Sequence, residues 1–121
     1  MSKSVLAVGL DPAFADLSAF PGLTPDLVRA FIDVQLDRLR TLGYAVESCL
    51  VDAGDTAEAV VARRLQGQDF DAVMIGAGLR ASPLLLLFER IINVVHEHAP
   101  RARICFNASP ADTAEAVQRW I

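Results

Sequence analysis

The sequence predicts a three-layer, doubly wound α/β domain with a four-stranded parallel sheet, strand order 2-1-3-4 and four helices. Three observations predict it. An apolar run followed by a helical pattern recurs four times, and strand alternating with helix implies parallel strands joined by right-handed crossovers. Two of the runs are apolar throughout while two carry polar residues, which separates central strands from edges. The chain has 121 residues, 53% of them hydrophobic, which fits one domain spanning 1–121, since domains commonly run to about 100–150 residues.

The first run, 5–10, is Val-Leu-Ala-Val-Gly-Leu and reads as a central strand. Thr24-Pro25-Asp26 then supplies a cap, a proline at the first helical position and an acid near the positive helix end, opening a helix over 25–42. Gly43 stands where that helix should stop. The second strand, 45–51, carries Glu47 and Ser48 and reads as an edge. A helix over 56–65 follows, with Asp55 in the cap role and Gly67 as its left-handed terminator. The third strand, 72–75, is apolar and central. Ser82 and Pro83 read as the cap and first residue of a helix over 83–98. The fourth strand, 103–106, carries Arg103 and reads as the other edge. The last helix covers 113–120, capped by Asp112. The hexapeptide Asp-Thr-Ala-Glu-Ala-Val occurs at both 55–60 and 112–117. The surrounding units do not match, so it reads as two good helix starts rather than a duplication.

This arrangement resembles the flavodoxin-like, receiver-like or Rossmann-like doubly wound fold, short of its usual fifth strand. The resemblance covers nearly the whole chain at fold level and rests on no motif. Gly76-x-Gly78 followed by Ala81 meets a permissive dinucleotide-binding pattern. It follows the third strand rather than the first, and Asn107 rather than an acid closes the fourth. There is no phosphate loop with Gly-Lys-Ser/Thr and no Gly-x-Ser-x-Gly elbow. The loop after strand one begins Asp-Pro-Ala-Phe, unlike a flavodoxin's Ser/Thr-rich loop. Gly76 stands where a receiver would have its phosphorylated aspartate. Ala13 stands where a haloacid-type phosphohydrolase would have its second aspartate.

In a sheet of this order a ligand site is expected beyond the carboxyl ends of strands one and three, where the strand order reverses. Two loops meet there. The loop 76–82 holds Gly76, Gly78, Arg80 and Ser82. Two glycines permit close backbone approach, and a helix start offers free N–H groups to an anion. Arg80 beside a positive helix end calls for a compensating charge, either Asp11 across the switch point or a bound phosphate or carboxylate. Asp11, Asp52 and Asn107 each close a strand at the same pole, where such residues also make ordinary turns. The loop 12–23 exceeds the usual 2–6 or so residues and is apolar, with Phe14, Leu17, Phe20 and Leu23. It reads as a lid, a core element or a contact surface.

The third helix places its apolar residues over about half its circumference, wider than the stripe of about 100° that one packed face needs. Leu86 falls outside even that arc. The excess implies a second buried side, against helix two or a second copy of the chain. A homodimer through 83–98, with Leu86 and Phe14 as contacts, is therefore expected. On the first helix, Gln35 and Arg38 lie near the middle of the apolar arc. Gln35 needs a partner if buried, and Arg38 can bury its stem while its head reaches water.

Composition narrows the function classes. The net charge is -4, which argues against nucleic acid. Lys3 is the only lysine and precedes the first strand, which argues against Schiff-base chemistry. No apolar run reaches the roughly 20 residues of a membrane span, and the N-terminus lacks a signal-peptide core, so a cytoplasmic protein is expected. Cys49 and Cys105 lie on opposite sheet edges, too far apart for a disulfide. His96 and His98 end a helix at the pole away from the switch point and do not share a helix face, so no metal site is expected. No residue set fixes a cofactor or a reaction. The leading expectation is a small anionic or nucleotide-like ligand bound by Asp11, Gly76, Gly78, Arg80, Ser82 and Asn107. The alternative is a homodimeric interaction module with no small ligand. A hydrolase using Asp11 is the weakest reading.

Overall fold

The computed structural model describes residues 2–121. Four strands form one parallel sheet in the order β2-β1-β3-β4. They are β1 (Ser4–Leu10), β2 (Ala45–Val51), β3 (Ala72–Ile75) and β4 (Arg103–Phe106). Their boundaries match the apolar runs to within one residue. Val5 pairs with Val46 on one side and Ala72 on the other, and Val8 pairs with Cys49 and Ile75. All four residues of β3 are buried, as a strand covered on both faces should be.

Four helices cover the sheet, α1 (Pro25–Thr41), α2 (Ala57–Gly67), α3 (Leu85–His98) and α4 (Thr113–Gln118). Side chains alternate across each strand, and two cores result. One joins Val5, Ala7, Met74 and Cys105 to Leu36 and Leu39 of α1 and Val117 of α4. The other joins Leu6, Val8, Val51 and Ile75 to Val61 of α2 and to Leu87 and Ile91 of α3. The chain thus leaves β1 over one face and reaches β3 and β4 over the other. That change of face places the switch point between β1 and β3.

Several helix ends differ from the sequence expectation. Thr24 caps α1 as expected, its Oγ1 accepting from the Leu27 N–H at 3.2 Å, and Gly43 follows with φ +103°. A side chain there would be strained. Gly67 is instead the last residue of α2 and has no positive φ; the left-handed glycines are Gly22, Gly43 and Gly54. Asp55 does not cap α2. The Asp52 carboxylate does, accepting from the N–H groups of Gly54, Thr56 and Ala57. Asp112 likewise turns backward, accepting from Ala108 and Ser109 N–H rather than capping α4.

The helix expected from Pro83 begins at Leu85. Two 3-10 turns, Ala77–Arg80 and Ser82–Leu84, precede it, and Ser82 makes no cap hydrogen bond. Leu79 in the first of them is fully buried. Pulling it into the core beside α3 tightens the chain and delays the helix.

The wide apolar arc of α3 is accounted for within the chain. Leu87, Ile91 and Val95 face the sheet, and α2 packs along the helix. Phe88 meets Phe106 edge to face at 5.5 Å between ring centroids. Leu85 and Leu86 of the first turn stay exposed, Leu86 at 68%. A longer apolar stripe stands exposed on α1, where Leu27, Phe31 and Val34 follow at helical spacing. Among the described residues no helix is long and apolar enough to cross a membrane.

Candidate functional site

Small residues meet at one place in this sheet. On the face toward α1 and α4, the carboxyl half of the floor is Ala7 and Gly9 from β1, Ser48 from β2 and Gly76 just after β3. The opposite face carries bulky Val8, Val51 and Ile75 at that level and packs solidly. Above the small floor lie Val28, Ile32 and Leu36 of α1, which do not fill the space. A cavity of about 140 Å³ remains between them. Leu50, Met74, Thr113, Pro12, Ala15 and Gly78 also line it. It sits at the switch point between β1 and β3, where sheets of this kind bind ligands.

None of the side chains lining this cavity is ionisable. Asn107 is 4% exposed. Its Oδ1 accepts from the Ala77 N–H at 3.0 Å and its Nδ2 donates to Thr113 Oγ1 at 3.0 Å. The Thr113 hydroxyl in turn donates to the Pro110 carbonyl at 2.7 Å. This network ties the ends of β3 and β4 to the start of α4. Ser48 is the remaining polar side chain of the lining and stands outside it. Ser48 reads from sequence as the mark of an edge strand; in the fold it faces the cavity.

The structure brings Gly76, Gly78 and Asn107 together on this cavity but not the other expected residues. Arg80 lies on the α3 side of the sheet end. Its Nη1 donates to the Ile75 carbonyl at 2.7 Å, its Nη2 donates to the Asn107 carbonyl, and its guanidinium sits 5.1 Å from the Phe106 ring centroid. Burial lowers its pKa while the Asp112 charge opposes that. The expected Arg80–Asp11 pair is absent. Asp11 instead bonds the Ala13 N–H at 3.0 Å and Arg29 at 2.5 Å, because the first turns of α1 pass over the end of β1. Ser82 is exposed on its 3-10 turn. Phe14 is exposed on a separate turn, Pro12–Phe14, away from Leu86 in sequence and element. Of the two polar residues on the inner arc of α1, Arg38 pairs with Glu115 at 2.6 Å, while Gln35 Oε1 is buried without a partner.

Three carboxylates occupy backbone N–H groups that an anionic ligand would use at this pole. Asp11, Asp52 and Asp112 all titrate below the ordinary aspartate value. The leading causes are the Ala13 N–H for Asp11, the Thr56 hydroxyl for Asp52 and the Ser109 N–H for Asp112. Depressed folded-state values mean that their stabilisation is complete above the unfolded value of about 3.9 and is lost as pH falls through the folded values. The urea midpoint should therefore hold level above about pH 5 as far as these carboxylates are concerned and fall progressively below it. Asp52→Asn should make that acid limb shallower in urea melts run from pH 2 to 6; an unchanged limb would show that the Asp52 cap does not titrate with folding.

Other reactive groups lie elsewhere. Burial pushes the Cys105 thiol up to about 11 and raises Cys49 as well, so neither is a ready nucleophile. The cysteines are free, and they belong to different cores. His98 lines a larger groove of about 360 Å³ at the opposite pole, together with Asp69, Asp71 and Arg101. That groove lies beyond the amino ends of the strands. Among the described residues no three His, Cys, Asp or Glu side chains gather to hold a metal ion.

The cavity floor escapes a residue-by-residue search for reactive groups. Its signal in the sequence is the period-2 pattern of small side chains, Ala7-x-Gly9 on one strand and Ser48 on the next. No protein-family model matches the chain, and no curated protein matches it.

Proposed function

We propose that the chain is a small-molecule-binding domain whose ligand occupies the cavity beneath α1, at the carboxyl ends of β1 and β3. The observation that carries this reading is the position of the cavity. It lies at the switch point of a doubly wound sheet, and four small residues on three strands hollow it out. A lining without ionisable side chains supplies neither general acid nor general base, so the reading is a binder rather than a catalyst. Gly76, Gly78 and Asn107 remain part of the proposed site. Arg80 supports it from outside by closing the ends of β3 and β4.

A second reading, a protein-contact module, draws on the exposed Leu27, Phe31 and Val34 of α1, beside exposed Phe20 and Leu23 in the preceding loop. This stripe is a longer exposed apolar surface than α3 offers, where only the first-turn Leu85 and Leu86 stay exposed.

An amide-resolved NMR titration tests the first reading. Nucleotides, flavins, sugar phosphates, simple anions and small neutral organic compounds are added in turn to the protein and to Gly78→Leu. One class should shift the Gly9, Gly76 and Gly78 amides, and Gly78→Leu, which extends a side chain toward Leu10 at the mouth, should lose the response. If no compound moves those amides, the reading fails. Concentration-dependent sedimentation that Phe31→Asp abolishes would then favour the contact module.

A further inference from the structure

The chemistry of the cavity specifies its ligand further than its position does. We infer that it takes a neutral, predominantly apolar group about the size of one aromatic ring, and not a phosphate or nucleotide. This rests on the small-molecule reading above.

The volume is the first support. An engineered apolar cavity of about 150 Å³ binds benzene, and this cavity, partly open to solvent, measures about 140 Å³. The second is the wall. Val28, Ile32, Leu36, Leu50 and Met74 present carbon, and the amide oxygen and nitrogen of Asn107 each already hold one partner, Ala77 and Thr113. Ser48 is left as one hydroxyl able to orient a ligand. The third is charge. Arg80 is turned to the other side of the sheet end, Arg29 is paired with Asp11, and Asp11, Asp52 and Asp112 fill backbone N–H groups nearby. An anion placed here would lose its water and meet no cation.

The glycines supply the fourth. Neither Gly9 nor Gly76 has a positive φ. A Cβ at Gly9 would lie 3.5 Å from Leu50 Cδ2, and one at Gly76 would lie 3.5 Å from the Val8 carbonyl oxygen. Those are ordinary contacts. Backbone geometry and packing therefore accept alanine at both places, and the consequence of glycine there is open space.

Four probes test the inference on the intact protein by thermal melting and amide shifts: toluene, benzoate, inorganic phosphate and adenosine monophosphate. Toluene should raise the melting temperature and shift the Gly9 and Gly76 amides. Benzoate, with the same ring and a charge, should bind at least about tenfold more weakly, since a buried unpaired carboxylate is strongly disfavoured. Phosphate and the nucleotide should leave those amides unmoved. Ser48→Ile fills much of the space with a β-branched side chain that suits a strand, and it should melt no lower than the parent yet ignore toluene. Should that variant fail to fold, Gly9→Ala adds one methyl to the same wall and should weaken the toluene response several-fold. Preferred binding of benzoate, phosphate or nucleotide, lost on filling the cavity, would overturn the ligand class and leave the site standing. A toluene response that survives both fillings, or no response to any probe, would overturn the inference; in the latter case the wider compound titration decides separately whether the site itself stands.

Discussion

Replacing Arg80 with alanine should destabilise the fold by about 2–4 kcal/mol, through two lost hydrogen bonds to a charged donor at about 1.5–3 kcal/mol each, partly offset by water reaching the freed groups. The guanidinium holds the Ile75 and Asn107 carbonyls and lies against the Phe106 ring. Those carbonyls end adjacent strands, so the side chain acts as a clasp across β3 and β4. Lysine offers one point charge in place of a planar fork and should rescue only part of the loss. Urea melts of Arg80→Ala and Arg80→Lys decide the matter. An alanine variant as stable as the parent would show that the clasp is dispensable. An alanine variant that keeps its stability but loses the response to an added anion would restore the role expected for Arg80 from the sequence.

Asn107→Ala should cost about 2–3 kcal/mol, the penalty for leaving a buried donor unsatisfied together with the loss of a second bond. The Ala77 N–H would lose its acceptor and Thr113 Oγ1 its donor, beside the largely apolar wall of the cavity. At about 3–6 °C of melting temperature per kcal/mol for a domain of this size, the shift is large enough to see in a simple thermal scan. Asn107→Asp separates the two bonds. An ionised carboxylate accepts from Ala77 but cannot donate to Thr113, whereas a protonated one does both. Burial favours the neutral form, so the aspartate variant should be less destabilised at pH 4 than at pH 7. Equal losses at the two pH values would mean that the donor bond to Thr113 contributes little.

The two residues also mark where sequence reasoning succeeds and where it stops. Asn107 is legible as a residue of the switch-point end because it closes a strand there, and the fold places it on the cavity. Arg80 is legible as a residue that needs a negative partner. Which partner it finds is not legible, because that depends on Leu79 dropping into the α3 core and swinging the next side chain to that face. The Asp11–Arg29 pair depends in the same way on how the 12–23 loop folds back over β1. The width of the apolar arc on α3 is visible in the sequence. That α2 and Phe106 cover it, while Leu27, Phe31 and Val34 of α1 stay exposed, is decided by the angle and overlap of helices from distant parts of the chain.

By itself the sequence determines the four strands, their central or edge character and the pole at which a site is expected. These follow from local hydrophobic periodicity, capping residues and the connectivity of parallel strands, all of which are short-range or topological. Only the tertiary structure decides that the switch point holds an apolar hollow. A cavity is a difference of volumes between facing elements. Small side chains at Ala7, Gly9, Ser48 and Gly76 leave room only because α1 passes over them at that height. The side chains expected to cradle an anion are turned elsewhere for the complementary reason. Arg80 and the three aspartates reach partners within the fold first, and a paired charge has little left to offer a ligand.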